Sequence, residues 1–252
     1  MQAYKTNSIN SNDHQNNLIM ITENRRLTLG KIIFTLIYIL IFPALLLFLS
    51  KDWFWVEGWI FSIWFTVLCF TTIIYLYRKD PALLAERYRK PGTANQKGWD
   101  KYVVYGLLIG FIAWIVIMPL DAKRYEWTTY FPLWLKILGG IGLILSFFLF
   151  FRSYADNTFV SPLVRIQTER KQQVVSTGVY GFVRHPMSLG GILLFIGTPM
   201  LLGSTYGLII GLVMSFLLVI RIIGEEKMLV NELEGYADYR KKVKYRLIPF
   251  VW

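Results

Sequence analysis

The stretch GVYGFVRHPMSLGGILLFIGTPMLLGSTYGLIIGLVMSFLLVIRIIGEE, residues 178–226, sets two apolar runs between two polar clusters. The runs 187–202 and 208–220 are parted by Gly203-Ser204-Thr205-Tyr206-Gly207, a string of turn-formers that predicts a helical hairpin, 187–222. Each arm rises about 24 Å as a helix, short of the roughly 30 Å of hydrocarbon in a bilayer. The hairpin is flanked by Arg184 and His185 on one side and by Arg221, Glu225 and Glu226 on the other. Ionisable groups against a membrane are costly to desolvate, so they face a cavity or a polar ligand rather than lipid.

Working outward, 55% of the 252 residues are hydrophobic and 17% aromatic, too apolar for a soluble domain of this length. Four more blocks, 32–50, 56–77, 102–119 and 133–151, are near the ~20 residues that cross a bilayer. The expectation is an all-α integral membrane protein of five to six transmembrane helices with the C-terminal hairpin and polar cytosolic segments. It divides into a disordered cytosolic tail (1–28), a four-helix region (29–151) with an interfacial loop (78–101), and a C-terminal region (152–252) with the hairpin 187–222 and a cytosolic tail.

Of the 27 basic residues, all but Lys51, Lys123, Arg124 and Lys136 fall in alternate segments between the apolar blocks. That bias predicts cytosolic N- and C-termini. It also accounts for the net charge of +11 through topology and anionic lipid headgroups, with no call for nucleic acid. Cys69 is the single cysteine, and His14 and His185 are the two histidines, so neither an internal disulfide nor a Cys/His zinc site can form. Gly106 and Gly110, and Gly139, Gly140 and Gly142, suit close helix packing. The latter group lacks the strand-turn-helix setting of a dinucleotide fingerprint.

In the loop 78–101, Asp80 can cap a short helix opened by Pro81, with its leucines on one face. That helix lies at the headgroups or forms a lid over an entrance. Segment 152–186 is polar enough to leave the membrane and includes a short strand or turn at Gln173-Val-Val-Ser-Thr-Gly178. Beyond Arg221 the last helix continues, with Met228, Leu229, Leu233 and Tyr236 at helical spacing.

Pro186 disfavours helical dihedrals at His185 and suits a first helical position. The N–H groups of Met187 and Ser188 are then left for an anion at the positive end of the helix, with Arg184 adding charge. Arg184-His185 can equally be a headgroup pair. Arg221 and Glu225, four residues apart, share a helix face and either pair or both address a ligand, while Glu226 points about 100° away.

These residues carry a resemblance. Tyr180-Gly-Phe-Val-Arg184-His185-Pro186-Met187-Ser188-Leu-Gly190, Arg221-xxx-Glu225-Glu226-xx-Leu229, Gly235-Tyr236-xx-Tyr239 and Arg246-Leu-Ile-Pro249 look like the isoprenylcysteine carboxyl methyltransferase family, membrane enzymes related to phospholipid N-methyltransferases. The resemblance covers roughly residues 155–252 and implies that 152–252 is the catalytic region, with its cytosolic segments cofactor-binding. It implies S-adenosylmethionine as cofactor, contacted by Gln172, Gln173, Val174, Val175, Tyr180, His185, Pro186, Met187, Ser188 and Glu225, with Arg184 and Glu226 beside them. It also implies Arg221 facing the substrate, so that Arg221 and Glu225 are the catalytic pair. Where the family has tyrosine two residues after the proline, this chain has Ser188, which removes an aromatic wall.

The implied activity is methyl transfer to a lipophilic or small apolar acceptor entering from the membrane lipids. Alignment and desolvation dominate such a displacement. A carboxylate or thiolate acceptor needs no base, whereas an amine or thiol must lose a proton to Glu225, Glu226 or His185. A sterol-reductase type enzyme using NADPH and a non-enzymatic channel or scaffold are the competing readings. The near absence of charge in the first four spans disfavours conduction.

Overall fold

The structure, a computed structural model, describes residues 29–252. The expected tail 1–28, including His14, lies outside the described residues. Every regular element among the described residues is helical. The long helices are α1 (Leu29–Ser50), α2 (Val56–Lys79), α4 (Gly98–Pro119), α5 (Leu133–Asp156), α6 (Pro186–Leu202) and α7 (Thr205–Glu232). Short helices α3 (Pro81–Glu86) and α8 (Tyr236–Lys242) complete the set. Five of these, α1, α2, α4 with its extension to Arg124, α5 and α7, are long and apolar enough to cross a membrane, and α6 is a shorter apolar helix.

The hairpin forms, but with unequal arms. Its turn is confined to Gly203 and Ser204, because Thr205, Tyr206 and Gly207 join α7. Gly203 takes the left-handed conformation (φ 79°) that closes α6, and the Ser204 hydroxyl caps α7 by accepting from the Gly207 N–H. α7 therefore runs for 28 residues, about 42 Å, past Arg221 and Glu225. The tip is fastened by Asp121, which is fully buried and accepts from Thr128 N–H, the Ser204 hydroxyl (2.6 Å) and Tyr206 N–H (3.1 Å).

Small residues set how close the helices come. A Cβ on Gly139 of α5 would lie 2.5 Å from Leu201 N and 2.6 Å from Gly197 O, both backbone atoms of α6, whereas one on Gly140 would meet nothing nearer than 3.9 Å. Gly139→Ala is therefore expected to destabilise the fold by about 1–3 kcal/mol, since backbone cannot move aside cheaply. Gly140→Ala should be neutral or slightly stabilising, through helix propensity. Thermal unfolding of the two variants in detergent checks the contrast. The core between the helices is aromatic and aliphatic, centred on Phe42, Leu46, Phe61, Trp114, Met118, Leu143 and Met214.

Asp80 caps α3 as expected, accepting from Leu83 N–H at 2.9 Å with Pro81 at the first position. The leucine face of α3 turns inward: Leu83 and Leu84 are buried against Leu76, Val160 and Tyr180. α3 thus packs on the segment after α5. That segment, 157–185, contains no strand; residues 172–176 run irregularly into a 3-10 turn, Gly178–Gly181. Gly178 has φ +59°, and a Cβ there would fall 2.0 Å from the Asp156 carboxylate. The carboxylate instead accepts from Val179 N–H at 2.9 Å, tying the turn to the end of α5.

Candidate functional site

The C-terminal ends of α5 and α7, the N-termini of α4 and α6, and the segment 157–185 meet at one end of the bundle. α6 starts at Pro186 after His185, which has a non-helical backbone (φ −125°, ψ 59°). Leu189 N–H is the first to find an intrahelical carbonyl, that of His185. The Met187 and Ser188 N–H groups thus have no partner within the helix.

The tail closes over this point. Arg184 N–H donates to Tyr245 O (3.0 Å) and His185 N–H to Arg246 O (2.9 Å). Arg184 Nη1 donates to the carbonyls of Val243 and Lys244, and its Nε donates to Glu226 Oε1 at 2.6 Å. Arg246 Nε donates to Glu226 Oε2 at 2.7 Å and its guanidinium stacks over Trp252. His185 Nε2 lies 3.3 Å from Glu226 Oε1. Glu226, 3% exposed, is thus the hub that joins α7, the α6 start and the tail.

Glu225 differs from its neighbour. Its side chain is 34% exposed, and among the described residues the one basic side chain within 4.0 Å is His185, through Nδ1. Arg221, one turn earlier, does not pair with it. Arg221 Nε donates to Asp100 Oδ1 (2.7 Å) and Nη2 to Pro162 O (2.7 Å).

A cavity of about 290 Å³ lies between these groups, close to the roughly 300 Å³ lower end of small-molecule sites. Gln172, Gln173, Val174, Val175, Tyr180, Arg184, His185, Pro186, Met187, Ser188, Arg221 and Glu225 all line it. Glu226, expected among the cofactor contacts, does not line it. The physical reason is that three cationic or imidazole groups converge on its carboxylate and draw it into the protein. The anion-holding charge expected of Arg184 is likewise largely committed to Glu226 and two carbonyls.

Four lining residues carried no site signal in the sequence: Phe150 of α5, Leu194 and Phe195 of α6 and Leu218 of α7, which form an apolar wall. Tyr236 and Tyr239, part of the motif quoted above, also line the cavity and are buried. Tyr239 donates its hydroxyl to Tyr180 O at 2.7 Å, and burial pushes that phenol up to about 12, so it stays a donor through neutral pH.

Arg165, also lining the cavity, anchors its roof. It donates to Glu86 through Nε (3.0 Å) and Nη2 (2.8 Å) and to Glu169 (2.6 Å). Burial opposes charge on Glu86, but hydrogen bonds from Arg165, Ser161 and Arg89 overcome it and hold the carboxyl below the ordinary range. A carboxyl depressed in the folded state stabilises above its unfolded pKa, about 4.3, and loses that contribution as pH falls through the folded value. Glu86→Gln is expected to cost roughly 1.5–3 kcal/mol at pH near 7. The stability gap to wild type should narrow once acid protonates the native carboxyl, which thermal unfolding across pH will show.

The geometry describes an all-α protein with membrane-length helices and a polar and apolar cavity at one end of its bundle, and parts of the chain are similar to known proteins. Residues 134–235 match the family model for phospholipid methyltransferase. The chain is 36% identical over 85 residues to the protein-S-isoprenylcysteine O-methyltransferase of Schizosaccharomyces pombe, spanning 33% of this chain and about a third (36%) of that protein. It is 28% identical over 157 residues to protein-S-isoprenylcysteine O-methyltransferase B of Arabidopsis thaliana, spanning 60% of this chain and 76% of that protein. A match of 30% over 105 residues joins it to the Delta(14)-sterol reductase TM7SF2 of Mus musculus, spanning 40% of this chain and 25% of that protein. A solved eukaryotic intramembrane Ras methyltransferase, isoprenylcysteine carboxyl methyltransferase, superposes with a TM-score of 0.47 at 20% identity, covering 85% of this chain and 74% of that chain. The C-terminal part of the chain is thus similar in sequence to protein-S-isoprenylcysteine O-methyltransferases, in line with the resemblance its motifs carry.

Proposed function

We propose that this chain is a multi-pass membrane methyltransferase that uses S-adenosylmethionine to methylate a lipophilic or small apolar acceptor. The observation that carries this reading is the two-sided cavity, whose one half is polar, with Glu225 and the start of α6, and whose other half is the apolar wall of Phe150, Leu194, Phe195 and Leu218.

The residues suit the cofactor. Glu225 is a carboxylate without a hydrogen-bonding side chain of its own, suited to hydroxyl and amine groups. The free N–H groups of Met187 and Ser188, at the positive end of α6, suit a carboxylate. When bound, the cofactor supplies a methyl group on a sulfonium, open to direct displacement by a nucleophile. Arg221 orients an anionic acceptor from the far side, and the apolar wall excludes water so that the two partners meet desolvated. The basic residues around this end support a cytosolic location for the site and both termini.

The sterol-reductase match supports the competing reading, a cavity for NADPH. Against it, the guanidinium groups lining the cavity, Arg165, Arg184 and Arg221, are each already paired with a carboxylate. Neutralised pairwise, these groups leave single N–H arms, such as Nη1 of Arg221, enough for one anionic acceptor group and too few for the several phosphates of NADPH. Incubating the purified protein with radiolabelled S-adenosylmethionine and N-acetyl-S-farnesyl-cysteine, or with a lipid extract, tests the reading. Label passing into an organic-soluble product supports it, and NADPH oxidation with an unsaturated sterol in place of transfer overturns it.

A further inference from the structure

We propose that Asp100, a residue outside the cavity, is a positioning residue that aims Arg221 at the acceptor and keeps it off Glu225. This inference rests on the methyltransferase reading and concerns the acceptor half of the same site.

Arg221 and Glu225 are one turn apart on α7, a spacing that puts arginine and glutamate within pairing reach. They do not pair in this structure. Asp100, in the first turn of α4 and wholly buried, takes Arg221 instead: Oδ1 accepts from Nε at 2.7 Å. Pro162 O accepts from Nη2 at 2.7 Å. The Nε and Nη2 edge of the guanidinium is thereby filled. Among the described residues nothing engages Nη1, and Arg221 lines the cavity, so the free arm is the one left for a ligand.

Asp100 is itself held rigidly. It accepts from Val164 N–H (2.8 Å) and Gln96 Nε2 (2.7 Å), so its position is set before Arg221 arrives. With the carboxylate neutralised, Glu225 becomes the strongest anion within reach of Arg221. The arginine then loses its aim, and the acceptor loses its anchor.

The test compares wild type, Asp100→Asn, Arg221→Gln and the double variant, measuring methyl transfer to N-acetyl-S-farnesyl-cysteine and equilibrium binding of S-adenosylhomocysteine. Asp100→Asn is expected to raise acceptor KM about tenfold or more and to lower kcat less than about threefold, with S-adenosylhomocysteine affinity held within about threefold. The double variant should be no worse than Arg221→Gln, because residues acting through one another are not additive. Additive losses, an unchanged KM, or binding lost in step with activity overturn the inference in favour of a structural role. If Asp100→Asn does not fold, Arg221→Lys asks the same question: lysine can still pair with Asp100 but has no second arm. A raised KM with intact binding then supports the inference and an unchanged KM overturns it. A wild type that binds S-adenosylhomocysteine but leaves the probe unmethylated overturns the inference alone. One that binds no S-adenosylhomocysteine overturns the functional reading and the inference with it.

Discussion

Glu226→Ala is expected to lose roughly 3–5 kcal/mol of stability, the cost of leaving buried charges without their partner. Arg184 and Arg246 both direct Nε at this carboxylate, at 2.6 and 2.7 Å, and His185 Nε2 sits 3.3 Å away. Arg184 and Glu226 are each 4% exposed at the side chain, so water cannot replace the lost anion. The defect should extend to the tail, because Arg184 also holds the Val243 and Lys244 carbonyls. Limited proteolysis should then cut within residues 243–252, and thermal unfolding should show a lowered midpoint. A Glu226→Ala protein as stable as wild type would contradict the hub.

Glu225→Gln should do the opposite, leaving the fold intact and removing function. Its side chain is partly exposed and the imidazole Nδ1 of His185 is 4.0 Å off, so folding draws little from it. As the cofactor's carboxylate it would contribute charge-assisted hydrogen bonds worth about 1.5–3 kcal/mol, or roughly a tenfold to hundredfold loss of affinity for S-adenosylhomocysteine. Two adjacent glutamates thus separate cleanly in experiment: one variant with lowered stability, the other with wild-type stability and weakened binding. Calorimetric titration beside thermal unfolding resolves the two.

Much of this was legible in the sequence because it is local. Apolar length marks a span, Pro186 restricts His185 before it and suits a first helical position, and the Asp80-Pro81 cap depends on neighbours three residues apart. The helical spacing of Arg221, Glu225 and Glu226 likewise told that the last two point in different directions. Which direction is cavity and which is core depends on what packs there, and that is the tail from Val243 to Arg246. No local pattern announced that the tail would return to pair with residues 184 and 185.

The same limit explains Asp100 and Asp121. Each is a lone acidic residue near the end of an apolar block, indistinguishable in sequence from a charge at the membrane edge. Their partners, Arg221 and Ser204, lie 121 and 83 residues away. The unequal hairpin arms have a similar origin. Thr205, Tyr206 and Gly207 read as turn-formers, but the Ser204 cap and Asp121 seat them as the first turn of α7. Gly207 and Gly211 then allow that helix to press on its neighbours; a Cβ on Gly211 would lie 2.0 Å from Phe195 O.

Titrating the purified wild-type protein with S-adenosylhomocysteine asks whether the cavity between α6, α7 and the segment 157–185 is an S-adenosylmethionine site. The predicted result is saturable one-to-one binding that NADPH does not displace and that Glu225→Gln weakens at least tenfold. Absence of binding, or binding that NADPH displaces and Glu225→Gln leaves unchanged, would contradict it.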